Sequence, residues 1–204
     1  MTETFLDKAY SARDARSTRK LYDDWAESYE EELGKNGYAT PARCAKALAE
    51  FSDNKSAPVL DFGCGTGLSG VALKREGFST IDGLDLSADM LARARDKNIY
   101  RDLQVIEAKS RLSHKPGAYA AIAAIGVIGA GAAPIETFDA LMRGLARGGH
   151  LVLSFNDHAL DDPRHEARLN EWLDCGAATL LFREHGDHIP GIDIGSNVYV
   201  IEKN

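Results

Sequence analysis

The chain has 204 residues, a formal net charge of −7 and a sequence pI near 5.4. This length suits one domain with a full core, and the acidic balance without a lysine or arginine cluster argues against a nucleic-acid partner. Cys44, Cys64 and Cys175 lack metal-ligand spacing, and no apolar run is long enough for a membrane helix. We therefore expect a cytoplasmic monomer or homodimer with reduced thiols, no metal, no signal peptide and no membrane partner.

The first predicted elements are helices. In "LYDDWAESYEEEL", apolar side chains recur at helical spacing from Leu21 to Leu33, which predicts one amphipathic helix. Thr40 and Pro41 suit the start of a second helix in "TPARCAKALAEF". We expect residues 1–52 to form a helical lid on a core of residues 58–204, within a single domain, with the segment up to about Leu33 closing over the ligand.

Apolar runs and helical segments alternate after this lid. Five predicted strands begin with "PVLDF" and end with "HLVLSF", and two further strand-like runs, "ATLLFREH" and "SNVYVIEK", lie near the end. Strands separated by helices predict right-handed crossovers and a parallel sheet. The expected fold is α/β, a doubly wound, mostly parallel, seven-stranded Rossmann-like sheet with an antiparallel C-terminal hairpin. Ligands of such sheets bind beyond the carboxyl ends of the strands.

A glycine loop follows the first predicted strand in "PVLDFGCGTGLSG". A dinucleotide loop would have a third glycine where this chain has Leu68, and Asp61 before the loop would repel a phosphate. The expected ligand therefore lacks phosphate and carries positive charge, as S-adenosylmethionine does in its ammonium and sulfonium. Asp85, at the end of the second strand, can accept hydrogen bonds from both ribose hydroxyls. We predict that S-adenosylmethionine and S-adenosylhomocysteine bind and that NAD does not.

The combination of "VLDFGCGTG" with "GLDLS" resembles the class I S-adenosylmethionine-dependent methyltransferases, from about Tyr22 to the terminal hairpin. More narrowly, "YDDWAESYEEEL" followed by "GYATPARCAKAL" resembles the methyltransferase-like group that includes the Williams-Beuren region methyltransferase. The resemblance implies a cofactor site along the methionine, ribose and adenine of S-adenosylmethionine. The residues that it implies are Asp61, Gly63, Cys64, Gly65, Gly67, Asp85, Leu86, Met90 and Gly126. We also expect the backbone of Ala108 and, from the aromatic helix that would close over the site, Tyr29 to bind the cofactor.

Several of these positions have structural alternatives. The glycine loop could be an ordinary turn, Asp85 a helix cap and Met90 a core residue. Relatives often place an aspartate after the third strand for the adenine amino group, but this chain has Lys109 there. Glu107 or the backbone of Ala108 would then take over this contact.

The acceptor site is less clearly marked. Tyr22 and Tyr38 are expected to bind the acceptor beneath the lid, although their rings could simply bury the first helix. His158 follows the fifth strand, on the edge where acceptors bind in this fold, and His185 and His188 lie near the terminal turn. The sequence identifies no catalytic base, and methyl transfer needs one only if the acceptor loses a proton near the transition state.

The sequence restricts the acceptor class. After the fourth strand the chain has "GVIGAGAAP" in place of the Asn/Asp-Pro-Pro-Tyr box used to methylate amino groups of bases or glutamine. With the acidic charge, this favours in-line methyl transfer to oxygen, nitrogen or sulfur of a small molecule, and no nucleic acid as substrate. The alternatives are a sensor or partner subunit that binds the cofactor without turnover, and a nicotinamide-dependent oxidoreductase, against which Asp61 and Leu68 stand.

Overall fold

The structure is a computed structural model that describes residues 15–107, 112, 114–129 and 132–204. Within this part of the chain, seven strands form one mixed sheet. They are β1 (Val59–Phe62), β2 (Ile81–Asp85), β3 (Asp102–Val105), β4 (Ala121–Ala124), β5 (His150–Asn156), β6 (Ala178–Ile189) and β7 (Ile194–Lys203). Their order in the sheet is β3-β2-β1-β4-β5-β7-β6. β1 to β5 are parallel, whereas β7 is antiparallel to both β5 and β6. The predicted fold class is confirmed.

Helices precede, connect and cover these strands. They are α1 (Ala15–Trp25), α2 (Tyr29–Lys35), α3 (Thr40–Glu50), α4 (Leu68–Arg75), α5 (Ala88–Asp96), α6 (Glu136–Gly144), α7 (Asp157–Leu160) and α8 (Arg164–Asp174). A 3₁₀ turn, Pro190–Ile192, joins β6 to β7. None of the described helices is long and apolar enough to cross a membrane.

Two apolar clusters lie on opposite faces of the sheet. Because side chains alternate along a strand, Leu151 and Leu153 of β5 belong to the cluster that includes α6 and α8, while Val152 belongs to the cluster that includes α3 and α4. All of β4 is buried, as expected for a central strand covered on both faces. The sheet is therefore a rigid support for the loops at its carboxyl edge.

The N-terminal helices differ from the prediction in two ways. The single helix expected from Leu21 to Leu33 is divided, because α1 ends at Trp25 and α2 begins at Tyr29. Acidic residues in the first turn of α2 favour a helix start there, through their interaction with the helix dipole. The expected lid also included α3, but Cys44 and Leu48 of α3 are fully buried in a main core cluster. The helices α1 and α2 contribute no residue to either main cluster.

Candidate functional site

The glycine loop leaves β1 and turns sharply into α4. Gly63, Gly65 and Gly67 have φ of 70°, 54° and 94°, in the left-handed region that favours glycine. The N–H groups of Gly63 and Cys64 both donate to the carbonyl of Leu84 at the end of β2, at 2.7 and 3.1 Å. These bonds hold the loop at the carboxyl edge of the sheet, beside the end of β2.

Asp61 lies at the end of β1, fully buried beneath this loop. Its Oδ2 accepts hydrogen bonds from Ser69 Oγ at 2.6 Å and from the Tyr100 hydroxyl at 2.7 Å. Its Oδ1 has no hydrogen-bond partner among the described residues. Burial raises the pKa of Asp61 to about 6, although both hydroxyl donors lower it. A buried carboxylate with one oxygen unpaired suits a cationic ligand group such as the ammonium of S-adenosylmethionine.

This environment predicts opposite effects of Asp61→Asn on stability and on binding. Because the pKa of Asp61 is raised on folding, its contribution to stability is greatest below the unfolded-state pKa and is lost as pH rises through about 6. An uncharged asparagine should therefore stabilise the ligand-free protein at pH 7, by up to roughly 3 kcal/mol. The same variant should bind S-adenosylhomocysteine more weakly.

Urea unfolding at pH 4.5 and pH 7, with calorimetry of S-adenosylhomocysteine binding, checks this prediction. Asp82→Asn is the matched control, because the Arg101 and Tyr119 side chains hold the pKa of Asp82 below its usual value despite partial burial. Its substitution should lower stability at pH 7. An Asp61→Asn variant that loses stability at pH 7 and binds the ligand normally would contradict the assignment.

Asp85 ends β2 beside the same loop. Its Oδ2 accepts from the Gly65 N–H at 2.8 Å, and its Oδ1 accepts from the Ser87 N–H at 2.9 Å. Burial raises the pKa of Asp85, and the backbone donors oppose this shift. Each carboxylate oxygen can accept more than one hydrogen bond, so contact with two ribose hydroxyls is compatible with both bonds. The ribose role stays a prediction, and the structure adds a structural role, because Asp85 ties the glycine loop to α5.

The start of α5 connects the predicted ribose and adenine region to α1. Ser87 Oγ accepts from the N–H of Met90, at 3.0 Å, and donates a short hydrogen bond to Asp23 of α1. Arg19 of α1 donates from Nε to the carbonyl of Leu86, at 2.7 Å. The Met90 side chain is buried. The contacts of Leu86 and Met90 with the cofactor stay predictions, and α1 is attached to this loop.

Glu107 is the described candidate for the adenine contact that an aspartate makes in relatives. Ala108 and Lys109 lie outside the described residues. Glu107, the other candidate, has a side chain that is largely exposed and lies 3.7 Å from Arg19 Nη1. Arg19 therefore bridges two residues next to the predicted adenine position.

A pocket opens between the N-terminal helices and the carboxyl ends of β4 and β5. Four aromatic rings form one side, where Trp25 and Tyr29 meet edge to face at 4.7 Å between centroids. The backbone N–H of Gly126 donates to Ser154 Oγ at 2.9 Å on the opposite side. The lining residues are Tyr22, Trp25, Tyr29, Leu33, Tyr38, Gly126, Ile128, Gly129, Ala132, Ser154, Asn156, His188 and Ile189.

The sequence predicted some of these residues and missed others. Tyr22, Tyr29, Tyr38 and Gly126 do meet at the pocket. His158 lies instead on α7 with its side chain exposed and is not among the residues that line it, so its acceptor role stays a prediction that the structure does not support. His188 occupies the position that was expected of His158.

Tyr100 was also missed, because its contact with Asp61 spans 39 residues of sequence. No local pattern encodes that contact. Within the described part of the chain, no group of three or more His, Cys, Asp or Glu side chains could hold a metal ion.

Comparison with known proteins places this geometry in a family. A family model described as a methyltransferase domain matches residues 37–191, which include the glycine loop, Asp85 and the pocket side of β4 and β5. Human methyltransferase-like protein 27 is 27% identical over 136 residues, or 65% of this chain and 56% of that protein. The 18S rRNA (guanine(1575)-N(7))-methyltransferase of Saccharomyces cerevisiae is 30% identical over 125 residues, or 54% of this chain and 46% of that protein. The chain thus spans about half the length of these curated relatives.

Solved structures show the same fold. The [4+2]-cyclase SpnF superposes with a TM-score of 0.69 at 17% identity, covering 94% of this chain and 97% of that one. A methyltransferase in complex with the Haloferax volcanii Trm112 methyltransferase activator gives 0.68 at 17% identity, covering 91% and 97%. The family model extends over most of the chain and agrees with the motifs at the ends of β1 and β2. The chain therefore belongs to the methyltransferase domain family, within the class I S-adenosylmethionine-dependent group that those motifs resemble.

Proposed function

We propose that this chain transfers a methyl group from S-adenosylmethionine to an uncharged small molecule held in the aromatic pocket. The observation that carries the proposal is the composition of that pocket. It joins the carboxyl edge of the sheet to the rings of α1 and α2, and its described lining contains no lysine, arginine, aspartate or glutamate. Apolar and aromatic walls with a few polar groups are typical of small-molecule sites.

Three features of the chain support the cofactor. Asp61 offers an unpaired buried acceptor for the ammonium, Asp85 offers a carboxylate for the ribose, and the glycine loop allows close backbone approach. When bound, S-adenosylmethionine supplies a methyl group on a sulfonium, which is already a good leaving group. Little chemical activation is then required of the protein, and its residues gain most by aligning the acceptor and excluding water.

The pocket residues supply that alignment. Gly126 has a φ of 67°, and a Cβ built on it would lie 2.5 Å from the Tyr38 hydroxyl. The Tyr38 hydroxyl therefore lies against the backbone where β4 ends. Trp25 is buried and keeps the rings of α1 and α2 together over the opening. We assign these side chains to positioning and to water exclusion, and propose no general base among them.

Two alternative functions also rest on specific observations. The name of the yeast relative specifies a guanine of rRNA, and the Haloferax volcanii structure contains an activator protein. A base in RNA is thus the second candidate acceptor, against which stand the net charge of −7 and the uncharged pocket. A protein with this fold is named a [4+2]-cyclase, so the fold by itself does not require methyl transfer, and cofactor binding without turnover is the further alternative.

A labelled-methyl assay distinguishes methyl transfer to a small molecule, methyl transfer to RNA and cofactor binding without transfer. The protein is incubated with methyl-labelled S-adenosylmethionine and either a cell metabolite extract or total RNA. We expect label in the small-molecule fraction, and at least about tenfold less with Gly126→Ala, because displacement of Tyr38 misaligns the acceptor. Gly176→Ala is the matched control, because Gly176 has a similar φ of 72° but open space around its Cβ position.

Each other outcome favours a different reading. Label in RNA would replace the small-molecule proposal with the nucleic-acid one. Cofactor binding with no label in either fraction would favour the sensor or partner subunit. Equal losses in both glycine variants would mean that backbone strain, and not the position of Tyr38, causes the effect.

A further inference from the structure

His188 is a buried histidine on the wall of the pocket. It lies near the end of β6, with 5% of its surface exposed, and its ring meets Tyr38 edge to face at 5.3 Å. Its Nδ1 is 2.7 Å from Thr40 Oγ1, at the start of α3. No described residue bonds to its Nε2, and the ring contributes to the pocket lining. One ring nitrogen is thus fixed by the protein, and the other is available to a ligand.

The direction of the hydrogen bonds at Nδ1 follows from two buried hydroxyl groups. Thr40 Oγ1 is 3.1 Å from Ser196 Oγ, and Ser196 Oγ accepts from Arg43 Nη1 at 3.1 Å. Arg43 can only donate, so among the described residues Thr40 is the acceptor within reach of the Ser196 hydroxyl hydrogen. Ser196 therefore donates to Thr40, and the Thr40 hydroxyl donates to His188 Nδ1.

The reverse direction is unfavourable. If His188 donated from Nδ1 to Thr40, and Thr40 donated to Ser196, the Ser196 hydroxyl hydrogen would lack an acceptor. Ser196 and Thr40 are both fully buried, with no exposed surface, so water could not replace the missing partner. Nδ1 is therefore the unprotonated nitrogen, and a neutral imidazole must carry its hydrogen on Nε2.

The surroundings also keep the ring neutral. Burial lowers the pKa of His188 to about 4, with the charges of Arg43 and His158 acting in the same direction and that of Asp157 opposing them. A group with this pKa is a poor acceptor of a proton near neutral pH. It remains a good hydrogen-bond donor.

We propose that His188 binds the methyl acceptor by donating a hydrogen bond from Nε2–H to an oxygen or unprotonated nitrogen of that molecule. This inference rests on the proposed function, because it names a recognition element of the same pocket. It selects acceptors that combine a planar apolar body, packed between the rings of α1 and α2, with one hydrogen-bond acceptor. It also makes His188 a substrate-binding residue rather than a base.

The tautomer can be measured without turnover. We would record long-range ¹⁵N–¹H spectra of the protein of residues 1–204 bound to S-adenosylhomocysteine between pH 5.5 and 8. The expected result is a neutral His188 protonated at Nε2 throughout this range. Thr40→Val should remove this preference, because no donor then faces Nδ1. An Nδ1–H tautomer or an imidazolium at neutral pH in wild type would overturn the proposal.

Ligand probes test the donor role. Acetophenone and α-methylstyrene have nearly the same shape, but only acetophenone carries a carbonyl oxygen. Acetophenone should shift the His188 Nε2–H signal together with the Trp25 indole signal, whereas α-methylstyrene should shift only the indole. The proposal is wrong if acetophenone shifts the indole alone, or if neither compound affects the pocket. Because no methyl transfer is measured, failure here is distinct from failure of the labelled-methyl assay.

Discussion

Asp85→Ala should weaken binding of S-adenosylhomocysteine by about 2–4 kcal/mol, because two hydrogen bonds from the ribose to a charged acceptor are lost at roughly 1.5–3 kcal/mol each, with incomplete additivity. The structure adds a second cause. The carboxylate also accepts from the N–H groups of Gly65 and Ser87, so its removal frees the glycine loop from α5. Isothermal titration calorimetry with S-adenosylhomocysteine measures the sum of the two losses.

A series of Asp85 variants separates the loss of the ribose hydrogen bonds from the release of the glycine loop. Asp85→Asn keeps one oxygen for the loop and loses the negative charge, so it should lose less affinity than Asp85→Ala. Asp85→Glu, which retains the carboxylate, should also weaken binding less. Asp89→Ala is the matched control, because Asp89 is an exposed acid in the first turn of α5. If Asp85→Ala remains folded and binds like wild type, the ribose assignment is wrong.

The parts of the fold that sequence could predict are those encoded locally. The apolar runs identified every strand of the sheet, and the spacing of Gly63, Gly65 and Gly67 identified the loop. Positive φ at all three glycines explains why glycine recurs there. The carboxyl ends of parallel strands meet at one edge, so Asp61 and Asp85 could be placed together without any knowledge of side-chain contacts.

Features that depend on contacts between distant segments could not be predicted. The orphaned oxygen of Asp61 becomes evident only when Ser69 and Tyr100 are seen on the other oxygen. His188 was one of three histidines near the predicted acceptor edge, and its environment depends on α3 and β7. His188 is buried and His158 is exposed. The polar residues around them in the sequence do not reveal which of the two histidines is buried.

The helices α1 and α2 are proposed to be a lid whose closure depends on the cofactor. Trp25 and Leu33 pack with Ile189 in a small apolar cluster that is separate from both main clusters of the sheet. They are connected to the cofactor region by polar contacts, through Arg19 to the Leu86 carbonyl and through Asp23 to Ser87, and by Leu68, which follows the glycine loop and packs against this cluster. A ligand that orders the Leu86–Ser87 loop would thereby strengthen the attachment of α1.

Deletion of residues 1–33 should therefore leave a cooperatively folding protein with weaker cofactor affinity and little or no turnover. The main clusters that hold the sheet would persist, but the pocket would lose Tyr22, Trp25, Tyr29 and Leu33, and water would reach the reacting atoms. Urea unfolding, calorimetry and the labelled-methyl assay measure the three properties separately. A deleted protein that fails to fold would make the aromatic cluster an ordinary part of the core.

A point variant tests the same lid without removing its apolar contacts. Arg19→Ala deletes the bond to Leu86 and the ion pair with Glu107, whereas Lys20→Ala deletes the ion pair with Asp24 inside α1 and serves as the control. Arg19→Ala should cost about 0.5–1.5 kcal/mol of lid closure. Limited proteolysis near Gly34 and Gly37 should slow when S-adenosylhomocysteine is added to wild type and to Lys20→Ala, and should slow less in Arg19→Ala. Equal protection of all three proteins would contradict the proposal, because the Arg19–Leu86 bond would then have no effect on how the cofactor stabilises the closed position of α1.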